Sequence, residues 1–121
     1  MIVPPFLLRT LYVKGSLGNA GDGFQLRLKN NLGSGYAREL LPLTVDGVEV
    51  SPDQSYFVVD GAEVPFTDVG EERPFTLAKG RETVIGVRGQ PLSEGKHTIG
   101  IGFVVVGLGK LGFDFTDYVS A

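Results

Sequence analysis

Cysteine and tryptophan are absent from this 121-residue chain, and a single histidine, His97, is its whole imidazole inventory. Without cysteine there is no disulfide staple and no thiolate nucleophile, a composition compatible with a cytoplasmic setting. A metal centre held by this chain alone would be built almost wholly from carboxylates, and a nucleophile–His pair could use only the one ring. Positive charge is also short: 11 Lys and Arg against 14 Asp and Glu leave a net charge of −3, with no basic footprint for nucleic acid. Long apolar runs are missing too. The longest candidate, Ile99 to Leu108, is broken by glycines and falls well short of a membrane span. The first nine residues have no basic leader and no small-residue cleavage site, so they do not read as a signal peptide.

What is present is an ordinary globular composition, 42% apolar and 21% charged, in a length that predicts one domain over residues 1–121. Phe24-Gln25-Leu26-Arg27-Leu28-Lys29 alternates strictly, which puts Phe24, Leu26 and Leu28 on a core face. Leu41 to Val50 reads as a hairpin around Asp46-Gly47, and Gln54 to Phe66 as another around Asp60-Gly61, because both dipeptides accept the positive φ of a type I′ turn. Leu11 to Lys14, Phe75 to Leu77, Thr83 to Val87, Lys96 to Val106 and Phe113 to Val119 read as further strands, and Thr67 to Pro74 as an exposed polar loop. No segment carries a sustained helical period with caps at both ends. The pattern predicts an all-β, antiparallel two-sheet β-sandwich, with a small barrel as the alternative.

The motifs that suggest chemistry have plainer readings. Gly107-Leu108-Gly109-Lys110-Leu111-Gly112 matches the dinucleotide fingerprint by letter, but the nine residues left after it alternate like a strand where a helix and a second parallel strand are needed. It reads as a turn. His97 reads as a hydrogen-bonded packing residue. Composition leaves a Ser–His–Asp triad open, yet there is no GxSxG elbow, and Gly33-Ser34-Gly35 sits in a turn. Asp114 and Asp117 are three apart on a strand and point to opposite faces, and Asp22 does not have the spacing of a calcium loop. In Ile99-Gly100-Ile101-Gly102-Phe103 the glycines share one face, which calls for cover by an aromatic of the neighbouring strand or by another molecule.

Taken in order, Gly23-Phe24-Gln25, Leu43-Thr44-Val45-Asp46-Gly47, Tyr56-Phe57-Val58-Val59-Asp60-Gly61 and Leu92-Ser93-Glu94-Gly95-Lys96-His97 resemble the small β subunit of bacterial C-glycoside deglycosidases. The resemblance implies a non-catalytic β-sandwich subunit that stabilises a larger barrel-type α subunit in a hetero-oligomer. It places a divalent metal, manganese, in that α subunit and none in this chain. It further implies a lyase-type cleavage of the C–C bond of 3-keto C-glycosides that releases a flavonoid or related phenolic. No catalytic, cofactor-binding or metal-binding residue is carried over. The segments expected to meet the α subunit are Val3, Pro4, Pro5 and Phe6, the loop with Glu71, Glu72 and Arg73, and the turn with Gly107 and Lys110. The alternative is a free-standing module that binds carbohydrate or a protein strand added at a sheet edge.

Overall fold

A computed structural model describes residues 3–120, with only the backbone of Leu77 described; Met1, Ile2 and Ala121 lie outside it. The chain enters through one helical turn, α1 (Pro5–Leu8), and a 3-10 turn at Arg9–Leu11. Proline at the first helical position has no N–H to leave unpaired and a φ already set for a helix. The strands follow as β1 (Gly18–Ala20), β2 (Gly23–Lys29), β3 (Gly35–Leu40), β4 (Thr44–Val45), β5 (Val48–Glu49) and β6 (Ser55–Val59). The remainder are β7 (Ala62–Pro65), β8 (Phe75–Leu77), β9 (Glu82–Val87), β10 (Gly95–Val105) and β11 (Gly109–Val119).

Two antiparallel sheets result, in agreement with the predicted sandwich. One runs β1-β2-β9-β6-β7. The other is built on β10, whose one edge pairs with β11 along its whole length. Its other edge carries β3 at the Phe103 end and β4 at the Ile99 end. The Leu41 N–H donates to the Gly102 carbonyl at 2.9 Å and so continues the ladder between β3 and β4. Beyond them lie β8, beside β3, and β5, beside β4.

The inward faces follow the period of two. Phe24, Leu26 and Leu28 from one sheet meet Ile99, Ile101 and Phe103 from the other, all buried in one core. Phe57 of β6 packs edge-on against Phe75 of β8 with ring centroids 4.7 Å apart, a geometry that aromatic quadrupoles favour. Both Asp-Gly hairpins form as expected: Asp46 has φ 51° and Gly47 87°, and Asp60 has 52° and Gly61 81°. The Gly107 turn is the tip of the β10–β11 hairpin, so the dinucleotide lettering there is turn chemistry.

One expectation needs correction and one is settled between its alternatives. Leu11 to Lys14 is not a strand; Tyr12 makes an isolated bridge to Leu28, and the preceding 3-10 turn occupies Leu11. The glycine face of β10 is covered from the neighbouring strand side, as one of the two alternatives expected, but by Thr44 and Leu41 and not by an aromatic. A methyl on Gly100 would collide with the Thr44 hydroxyl, and one on Gly102 would lie 2.9 Å from Leu41 Cδ1. Among the described residues, no helix is long and apolar enough to cross a membrane.

Candidate functional site

Among the described residues, the constellation with the look of catalytic chemistry centres on His97 at the start of β10. Val45 pairs with Ile99 across the β4–β10 ladder, which brings the Asp46 turn beside His97. His97 Nδ1 lies 2.8 Å from Asp46 Oδ2, and its Nε2 lies 2.8 Å from the Ser93 carbonyl oxygen and 3.3 Å from the Ser93 hydroxyl. Asp46 Oδ1 also accepts the Thr98 N–H at 2.9 Å. Asp, His and Ser thus meet in a triad's order, but not with a triad's hydrogen bonding.

A general base needs a ring nitrogen free to accept the hydroxyl proton. Here the two short contacts go to a carboxylate and a carbonyl, both acceptors only. A neutral imidazole has one donor and one acceptor, so the imidazolium alone satisfies both. In keeping with this, the Asp46 carboxylate and then the Ser93 carbonyl raise His97 above its ordinary 6.5. The Thr98 N–H and then His97 hold Asp46 below its ordinary 3.8. The group is a clamp between the β4–β5 turn and β10.

Asp117 stands opposite His97 on β11. Its Oδ2 accepts the Tyr12 hydroxyl at 2.7 Å and the Gly15 N–H at 2.8 Å, and its Oδ1 accepts the Tyr118 N–H at 2.8 Å. Burial pushes this carboxyl up, yet the three donors outweigh burial and the net shift is downward. Tyr12 is pushed up to about 12, chiefly by burial and then by the hydrogen bond to Asp117. Its hydroxyl oxygen accepts the Leu17 N–H at 3.0 Å, and its ring stacks on Phe115 at 3.6 Å. This pair fastens the N-terminal segment to β11. Asp114, on the other face, meets Arg9, as the alternation predicts. Among the described residues no three His, Asp or Glu side chains gather to hold a metal ion.

Several of the expected contact residues fall in or beside two adjoining concavities. Val3 lines an apolar cavity that also takes in Tyr36, Val105 and Leu108. Glu71 and Gly107 line a second cleft, which shares Tyr36 and Val105 with the first and adds Arg38. Tyr36 and Val105 are therefore the ridge between the two. Phe6 is 65% exposed, and Val106, in the same turn as Gly107, 51%. Pro4 caps α1, its carbonyl accepting the Leu7 and Leu8 N–H groups. Pro5, Glu72, Arg73 and Lys110 are exposed, and Arg73 reaches Asp68 at 3.6 Å. Tyr36, one of the tyrosines the sequence offers as an exposed ring, is 52% exposed, and Leu108 of the Gly107–Gly112 turn is 37% exposed.

A family model for the hydroxymethylglutaryl-CoA reductase N-terminal domain matches residues 7–120. No curated protein matches the chain. The family match overturns the resemblance to C-glycoside deglycosidase β subunits, and with it the C–C lyase activity, the flavonoid product and the place in carbohydrate metabolism. The free-standing binding module finds no support either. The physical reason is that the residues carrying the resemblance serve local structure. Asp46-Gly47 and Asp60-Gly61 are turns that any type I′ hairpin selects, and Gly95-Lys96-His97 opens a strand whose histidine is a clamp. Over nearly its whole length, this chain belongs to the hydroxymethylglutaryl-CoA reductase N-terminal domain family.

Proposed function

We propose that this chain is a non-catalytic domain of a hydroxymethylglutaryl-CoA reductase system and acts by docking onto the part that carries the chemistry. The observation that carries the reading is the engagement of His97. Reducing a thioester needs a bound hydride donor, a proton donor and stabilisation of the developing oxyanion. The only imidazole has acceptors at both nitrogens, and the one dinucleotide-like string is a hairpin tip. The family match supports the association with a reductase. A cytoplasmic setting, compatible with a cysteine-free chain, is part of the same reading.

The docking face is the end of the sandwich that carries Phe6, the Glu71–Arg73 loop and the Gly107–Lys110 turn. Exposed apolar residues cluster there around Tyr36 and Val106, the composition that contact surfaces use. The test is light scattering on the chain mixed with the hydroxymethylglutaryl-CoA reductase of the same cells. A stoichiometric complex is expected, and a Phe6→Ala/Val106→Glu double variant should weaken it at least tenfold. Independent migration of the two proteins at all concentrations would contradict the reading.

A further inference from the structure

We propose that the apolar cavity between the N-terminal segment, β3 and the β10–β11 hairpin binds the hydrocarbon tail of a small amphiphile. The cavity has a volume of about 260 Å³. Its floor is made by Leu8, Leu11, Phe75, Phe103 and Leu111, all buried. Its mouth is formed by the exposed Leu32, Ser34, Tyr36 and Leu108. Among the described residues, no charged side chain lines it. The cavity is half open to solvent, so an apolar occupant would withdraw its apolar walls from water. A cavity of about 150 Å³ takes benzene, so this one has room for about ten carbon atoms.

The polar groups present are arranged for a tail inside and a head outside. The Asn30 carboxamide oxygen accepts the Leu32 and Gly33 N–H groups, and its nitrogen donates to the Gly33 carbonyl at 2.6 Å, which shapes the rim. Ser34 Oγ accepts the Lys79 N–H at 3.0 Å, so Lys79 stands at the same rim with Tyr36. Gly35 supplies a second, independent observation. A methyl on it would meet only Val105 Cγ1, at 3.9 Å, and its φ is one that any residue adopts. A side chain could stand at this strand position without strain, and its absence leaves the cavity open. The mouth shares Tyr36 with the neighbouring cleft, so a bound tail and a docked partner would meet at that residue.

The test is an NMR titration of the whole chain with decanoate, followed on methyl resonances. Saturable one-to-one binding is expected, with shifts confined to Leu8, Leu11, Val105 and Leu111. Gly35→Leu should weaken it at least tenfold while the thermal midpoint stays within a few degrees, and Ala37→Leu fills the same space if the first variant folds poorly. Absence of saturable binding up to millimolar decanoate would overturn the proposal. So would shifts spread over the surface, or binding that both variants leave unchanged.

Discussion

At His97 the fold sets an imidazole between a carboxylate and a carbonyl, and stability acquires a pH dependence of definite sign. Held above 6.5 in the folded chain, the ring keeps a proton that the unfolded chain has released. Its contribution is complete below about 6.5 and fades as pH rises through the folded value. Asp46, held below 3.8, contributes above that value and ceases to as pH falls through its folded value. The clamp is therefore strongest in mildly acidic solution. Urea midpoints measured from pH 4 to 9 should show wild type ahead of His97→Gln on the acid side of neutrality and converging with it above. Ser93→Ala should follow wild type throughout, because the short contact from Nε2 goes to the Ser93 backbone. A triad would instead make Ser93 indispensable. Tyr12 offers a second reading at this scale: the phenolate absorbance lost in Tyr12→Phe should be the part that rises near pH 12 rather than near 10.

Strands and turns were legible wherever a local rule decides them. The alternation of Phe24 to Lys29, the two Asp-Gly turns and the hairpin tip at Gly107 all follow from period and φ preference, and each forms as read. What could not be read is pairing over distance. Asp46 and His97 are 51 positions apart and meet only because Val45 registers with Ile99. Likewise, Leu41 and Thr44 cover the glycine face of β10 through a ladder that no local pattern announces. Leu11 to Lys14 was misread because β-branched and aromatic residues favour strands, whereas the turn begun at Pro5 spaces Leu8 and Leu11 three apart and buries both. The family resemblance failed for the same reason, since short hairpin words recur in unrelated sandwiches. A prediction belongs here: Gly86 of β9 lies under the Tyr56 ring, with no room for a methyl between them. Gly86→Ala should cost about 1–3 kcal/mol in chemical denaturation, with the Tyr56 signals displaced.

The whole molecule is two sheets sharing one core, closed at one end by the His97 and Tyr12–Asp117 fastenings. Toward the other end, where Val105 and the β10–β11 tip lie, are the cavity, the second cleft and the exposed aromatic and aliphatic groups. If the proposed docking holds, rigidity and recognition are separated along the sandwich. Truncating Phe57, which joins the sheets through Phe75, should lower stability by about 3–5 kcal/mol and weaken docking only through unfolding. Truncating Phe6, largely exposed, should do the reverse. The decisive measurement is the rate at which the chain alone oxidises NADPH in the presence of hydroxymethylglutaryl-CoA. A non-catalytic domain whose His97 is a clamp predicts no oxidation above the protein-free rate, for wild type and His97→Gln alike. Steady turnover by the wild-type chain that disappears in His97→Gln would contradict it.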